Sequence, residues 1–195
     1  MSEDPKNWDV ATKLIRGGLA RSPFMETAEA LYLTQGFTYD SAEGADRRFS
    51  GEDPGFVYSR FNNPTVKMFE DRLALLEGAE ICRATATGMA AVHSALMGLV
   101  RAGDHWGSGN ALCGSGRWLI AEWLPRFGVE TTFVDATDLS AWEAAIKPNT
   151  KAVLIETPSN PVLEITDIAA VSKLAHAVGA KVIVDNVFAT PIFQQ

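Results

Sequence analysis

Cysteine is scarce. The 195 residues contain two, Cys82 and Cys113, with no spacing pattern between them, so neither a disulfide framework nor a zinc site follows and a reducing compartment is the simpler expectation. Histidine numbers three, and His93, His105 and His176 share no metal-ligand spacing. His176, between Ala175 and Ala177 late in a helical stretch, suits a surface or helix-dipole role; no metal site is expected. Lys and Arg nowhere cluster, and a formal charge of -7 argues against a nucleic-acid partner, because a phosphate backbone rewards grouped cations. No run approaches eighteen apolar residues, and Met1 to Trp8 has neither a basic n-region nor an apolar h-region. The expectation is a soluble cytoplasmic protein with no membrane partner. Also missing are a Gly-x-Ser-x-Gly elbow, a Walker lysine and a Gly-x-Gly-x-x-Gly after a strand, which removes the signatures of common hydrolases, nucleotide-phosphate sites and dinucleotide sites.

What is present is 47% hydrophobic residues, enough for one sizeable core. The first 55 residues are irregular: Gly17-Gly18, Arg21-Ser22-Pro23 and the polar run from Tyr39 to Gly55 interrupt any period. They read as an arm, in which Phe24 to Phe37 suggests a short helix followed by an extended segment. Beyond it, Asn63 caps a helix with Pro64 at its first position, Val66, Phe69, Leu73 and Leu76 repeat at three and four, and Gly78 ends it. A second helix follows Thr87-Gly88 and carries Met89, Val92, Leu96, Leu99 and Val100. Ser115 to Phe127 is a third, disturbed by Pro125. Short apolar strands at Val129 to Val134, Ala152 to Glu156 and Lys181 to Asp185 alternate with helices near Leu139 to Ile146 and Asp167 to Val178, the latter closed by Gly179. Repeated strand-helix-strand units imply an α/β fold whose mainly parallel sheet is flanked by helices.

Four places on this frame bear chemistry. Thr85 to Ala91 sets small residues before a helix, where bare amides can bind an anion such as phosphate; small residues there also serve close packing. Glu156-Thr157-Pro158-Ser159-Asn160-Pro161 follows a strand, and its two prolines fix a loop that presents Asn160 at the sheet edge, as a binding loop or as a rigid turn. Asp185 ends the run Val182-Ile183-Val184, so a partly buried carboxylate needs a cation or hydrogen-bond donors, supplied by a cofactor or by the protein itself. Arg60, in the polar loop with Tyr58, is placed to grip a phosphate or carboxylate, although a lone loop arginine is also often solvated.

In order, Tyr58-Ser59-Arg60 with Asn63-Pro64-Thr65, Ala86-Thr87-Gly88-Met89-Ala90-Ala91, Glu156 to Pro161, and Val184-Asp185-Asn186 resemble the Cys/Met-metabolism family of pyridoxal-phosphate enzymes over nearly the whole chain. The resemblance implies a fold-type I PLP-dependent transferase, incomplete at the C-terminus, with residues 1–55 as an N-terminal arm making subunit contacts and 56–195 as the N-terminal part of the large PLP-binding domain. It implies pyridoxal 5′-phosphate as cofactor, its phosphate on the amides of Gly88 and Met89 and on Tyr58 and Arg60 of a neighbouring subunit. Asp185 would pair with the pyridine nitrogen and Asn160 would lie beside the phenolic oxygen. Cys113 stands where the family has an aromatic residue stacked on the ring. The glycines of Trp106 to Asn110 are a second departure, expected to weaken one strand. Arg83 to Met89 and Val187 to Pro191 look most like members that replace the γ-substituent of O-succinylhomoserine with sulfide, giving homocysteine in methionine biosynthesis. Cystathionine γ-synthases and cystathionine or methionine lyases are the alternatives, and a homotetramer is implied for the full-length protein. The family's Schiff-base lysine falls after Gln195, so no catalytic residue is expected within the chain, which reads as the front half of an enzyme unable to complete the cycle alone. A non-catalytic truncated binding protein is the reading of a different class. A dinucleotide-binding domain is another, against which the absent glycine fingerprint stands.

Overall fold

The computed structural model describes residues 4–195, which divide into a unit up to residue 84 together with Gln195 and a second unit from residue 85 to 194. In the first unit, Asp9 caps α1 (Val10–Arg16) and Ser41 caps α2 (Ala42–Ser50), each side chain accepting from an amide of the first turn. Both helices fall in the stretch expected to be irregular, because a cap and a few favourable residues stabilise one or two turns without an apolar stripe. α3 (Pro64–Glu77) forms as its sequence dictates: Asn63 accepts from the Thr65 amide, Pro64 is at the first position and Gly78 closes the helix at φ 62°. Asn63 is itself buried and donates to the Tyr32 carbonyl and to Ser59 Oγ.

The helix expected within Phe24 to Phe37 is absent. Backbone groups there are taken by side chains instead: the Thr27 carbonyl accepts from Arg16, the Glu26 carbonyl from Arg21, and the Tyr32 amide donates to Thr65 Oγ1. Phe24 and Leu33 are more than nine-tenths exposed, so no apolar face within the unit rewards a helix over this alternative.

The second unit is built on a sheet of β1 (His105–Gly109), β2 (Glu130–Val134), β3 (Thr150–Glu156) and β4 (Lys181–Asp185). All pairings are parallel and the order is β2-β1-β3-β4. Side chains alternate along β3: Ala152 and Leu154 join one apolar core with Trp106, Leu96, Ile120 and Leu124, while Val153 and Ile155 join the other with Trp142, Val171 and Ala175. A strand covered on both faces carries an unbroken apolar run, as β3 does from Ala152 to Ile155. α4 (Gly88–Met97) serves the first core, α5 (Gly114–Trp118) leads into the turns that bring Leu119, Ile120 and Leu124 to it, α6 (Leu139–Ala145) and α7 (Ile168–Ala177) serve the second, and a single turn, α8 (Thr190–Phe193), follows β4. α4 stops at Met97, so Leu99 and Val100 lie beyond it. α5 runs on through a π turn (Leu119–Trp123) and a 3-10 turn (Leu124–Phe127). Pro125 has no amide to give, so the ladder changes pitch around it rather than ending.

Trp106 to Asn110 overturns an expectation. β1 lies inside the sheet, paired on both sides and buried at every position. Its glycines are demanded by packing: a Cβ at Gly107 would lie 3.1 Å from Val153 Cγ1 and 3.5 Å from the Trp142 ring, and one at Gly109 would lie 2.9 Å from Ala136 Cβ. Small residues let Trp142 and the chain after β2 close onto the sheet.

Candidate functional site

The parallel sheet directs all four carboxyl ends to one edge, where α/β proteins bind ligands. Asp185 and Glu156 end adjacent strands and are register partners. Alternation puts both on the face of the first core, since Ile183 and Leu154, two residues earlier in each strand, pack there. Asp185 is half-buried, as expected; its Oδ1 accepts from the Val187 amide at 3.1 Å. No ion pair engages it among the described residues. Two neighbouring carboxylates on one face favour a cationic group beside them.

Glu156, at the head of the loop motif, is not among the site residues that the sequence points to, yet it organises this edge. Its side chain is buried; Oε2 accepts from the Cys113 amide and Oε1 from the Asn160 amide, both at 2.7 Å. One carboxylate therefore ties the turn opening α5 to the loop after β3. The signal that picked out Asp185, an acidic residue closing an apolar strand, was equally present at Glu156. The loop holds itself through Ser159 Oγ, which accepts from the Glu164 amide, and Thr157 Oγ1, which accepts from the Thr166 amide. The Thr157-Pro158 and Asn160-Pro161 bonds are cis. Asn160 is half-buried, and its main-chain amide donates to Glu156, with no hydrogen bond to its side chain among the described residues.

The small-residue stretch becomes the amino end of α4, with Thr87 as cap: its Oγ1 accepts from the Ala90 amide at 3.0 Å, and Thr85 Oγ1 donates to the Thr87 carbonyl. Gly88 and Met89 are exposed, and their amides are the first two of the helix, upstream of the ladder. A Cβ at Gly88 would meet nothing within 4 Å. Open backbone at a helix amino end is where a phosphate is bound. Met89 also lines a cavity of about 340 Å³ with Gly114, Ser115, Trp118 and Leu119. A second cavity of about 320 Å³ lies between Asn110, Ala111, Asp135, Val162 and Glu164. Hydrogen bonds from Thr137 hold the exposed Asp135 carboxyl below its usual range. A larger cavity, about 640 Å³, opens at the opposite edge among Arg101, Asp104, Lys151 and Lys181 and contains none of the expected site residues.

Tyr58 and Arg60 belong to the first unit. Tyr58 bridges to Gly36, and the exposed Arg60 guanidinium lies 4.9 Å from the Tyr58 ring centre and 5.0 Å from that of Phe61. It makes no ion pair among the described residues, leaving its donors for an anion. No group of His, Cys, Asp and Glu that could hold a metal occurs among the described residues. No helix among them is long and apolar enough to cross a membrane.

Two features of the second unit fit the parts of a cofactor that carries both a phosphate and a cationic ring nitrogen: the open amides at the α4 amino end and the Asp185 carboxylate, which has no ion pair among the described residues. A parallel sheet with such a carboxyl edge places the chain in the class of α/β domains that bind ligands at their strand ends. The chain belongs to the Cys/Met metabolism PLP-dependent enzyme family, whose model matches residues 11–195. It is 54% identical over 191 residues to an O-succinylhomoserine sulfhydrylase of Mycobacterium tuberculosis, covering 98% of this chain and 47% of that protein. It is 44% identical over 187 residues to an L-methionine gamma-lyase of Treponema denticola, covering 95% of this chain and 47% of that protein. Among solved structures, an O-acetylhomoserine (thiol)-lyase assignment from Campylobacter jejuni, holding N'-pyridoxyl-lysine-5'-monophosphate, superposes with a TM-score of 0.90 at 32% identity, over 95% of this chain and 46% of that one. The chain thus spans about half the length of the relatives it matches.

Proposed function

We propose that the protein catalyses γ-replacement on an activated homoserine, taking O-succinylhomoserine and sulfide to homocysteine in methionine biosynthesis. The observation that carries the reading is the convergence at one sheet edge of Asp185, Glu156, Asn160 and Cys113, in a chain 54% identical to an O-succinylhomoserine sulfhydrylase. When bound, pyridoxal 5′-phosphate supplies an aldehyde that takes up the substrate amine and a ring that accepts electrons from its Cα.

The residues divide the binding. The amides of Gly88 and Met89 hold the phosphate at the α4 amino end, and Tyr58 and Arg60 reach the phosphate of a neighbouring subunit, with residues 1–55 as the arm making subunit contacts in a homotetramer. Asp185 would hold a proton on the ring nitrogen by ion pairing, the state in which the ring is an effective electron sink. The Asn160 side-chain amide donates to the phenolic oxygen. Cys113 occupies the position over the ring face, where a small thiol gives less stacking area than an aromatic residue and leaves more room for a substrate. Residues 56–195 supply this part of the large domain, and none of their side chains is assigned the Schiff-base role.

γ-Elimination is the second reading, favoured by the 44% identity to an L-methionine gamma-lyase. Purified protein loaded with pyridoxal 5′-phosphate distinguishes them. Homocysteine from O-succinylhomoserine and sulfide supports replacement. 2-Oxobutyrate and methanethiol from methionine alone would replace it with elimination, and no reaction with either substrate would leave a binding protein of the same ancestry.

A further inference from the structure

Glu156 is a buried carboxylate, 4% exposed, and its ligands are unusual for a buried charge: two main-chain amides, one 43 residues and one 4 residues away in sequence, and no cation in an ion pair with it among the described residues. Taking a carboxylate out of water is unfavourable unless both oxygens are satisfied. Packing alone would be met by an uncharged residue at this strand end, as at the four positions before it, Ala152 to Ile155. A glutamine has one acceptor oxygen, and an aspartate is shorter by one methylene, so a glutamate suits simultaneous capture of both amides. The bonds to amides are charge-assisted and short, which sharpens their geometry as well as strengthening them. The two captured residues are those expected over the ring face and beside its phenolic oxygen.

We propose that Glu156 is the positioning residue of this site: its carboxylate fixes the Cys113 turn and the Asn160 loop at one separation and thereby sets the width and tilt of the slot in which the ring lies. This rests on the reading of the edge as a pyridoxal 5′-phosphate site. Glu156 itself holds no cofactor atom; it acts through Cys113 and Asn160.

Amide hydrogen exchange at single-residue resolution, without cofactor, combined with pyridoxal 5′-phosphate titration read by the induced circular dichroism of the bound ring, provides the test. Glu156→Gln is expected to raise exchange about tenfold or more at the amide of Cys113 or of Asn160, leaving Leu154 in β3 protected, because one of the two acceptors is gone. Pyridoxal 5′-phosphate should bind about tenfold more weakly with a reduced ring signal. Glu156→Asp, which keeps the charge but not the reach, should recover part of that signal. Glu164→Gln, on the same loop but with its side chain outside the clamp, should match wild type in every readout. Unchanged exchange at both amides in Glu156→Gln overturns the proposal, as does raised exchange with unaltered affinity and ring signal. Loss of Leu154 protection in both Glu156 variants would make the carboxylate a support of the sheet and also overturn it. Wild-type protein that binds no pyridoxal 5′-phosphate would sink the cofactor reading and the positioning role together, whereas wild-type binding with an indifferent Glu156→Gln sinks the positioning role alone.

Discussion

Asp185 and Glu156 are register partners at the ends of β4 and β3, yet their carboxylates are engaged differently. Glu156 uses both oxygens on amides, whereas among the described residues the Asp185 carboxylate accepts one hydrogen bond, from the Val187 amide to Oδ1. One carboxylate is committed to the protein and the other keeps an oxygen for a ligand.

Asp185→Asn tests this division. Asparagine keeps an oxygen for the Val187 amide, so the melting temperature should move little. A charge-assisted contact with a ring cation contributes about 1.5–3 kcal/mol, so affinity for pyridoxal 5′-phosphate should fall by roughly ten- to a hundredfold. Equal affinity in the two proteins would remove Asp185 from the site.

Thr87→Ala removes the side-chain acceptor for the Ala90 amide at the start of α4. Loss of an N-cap typically destabilises by about 1 kcal/mol, and the open amides of Gly88 and Met89 lose their fixed orientation. Thermal unfolding should shift downward, and inorganic phosphate should compete less well for the site. Thr87→Ser, which retains the hydroxyl, should restore both; failure to do so would point away from the cap.

Gly107→Ala and Gly109→Ala place a methyl carbon 3.1 Å from Val153 Cγ1 and 2.9 Å from Ala136 Cβ, respectively. Overpacking of this kind costs about 1–3 kcal/mol, to be read as a lower urea midpoint. Gly114→Ala, whose Cβ meets nothing within 4 Å, should leave the midpoint unchanged or raised. If the three variants unfold alike, the glycines of β1 have no packing role.

These glycines mark where reading the chain falls short. β3 and β4 are legible because apolar residues run unbroken to a carboxylate, and α3 and α7 because both ends carry their own signals, Asn63-Pro64 with Gly78 and Asp167 with Gly179. β1 has no such local signature: His105-Trp106-Gly107-Ser108-Gly109 is a strand because Trp142 and Ala136 approach it from distant parts of the sequence. Asp185, Asn160 and Gly88 stand out as single residues at element ends, whereas the clamp that joins Cys113 to Asn160 exists only once β3 brings Glu156 between them. The apolar residues from Phe24 to Phe37 mislead for the opposite reason, since apolar content favours a helix only when a surface within reach buries its face.

His105 gives the pH dependence of the fold. The ring is fully buried, with Nδ1 2.8 Å from Thr150 Oγ1 and Nε2 2.9 Å from Thr132 Oγ1, so a neutral imidazole has both nitrogens satisfied by hydroxyls. Burial pushes its pKa below the ordinary 6.5, and the Lys147 ammonium pushes the same way, opposed by the Glu130 carboxylate. The folded protein therefore binds fewer protons at this site than the unfolded chain does between the depressed folded value and 6.5. Its contribution is complete above about pH 6.5 and declines as the pH falls through that window, at up to about 1.4 kcal/mol per pH unit. Below the folded value the loss levels off. Urea unfolding at pH 8, 7, 6 and 5 should show the midpoint constant at the upper two and falling at the lower two. His105→Gln, which offers a donor and an acceptor but no titration, should be less stable at pH 8 and flatter between pH 7 and 5. Parallel pH profiles for the two proteins would assign the acid sensitivity to other groups.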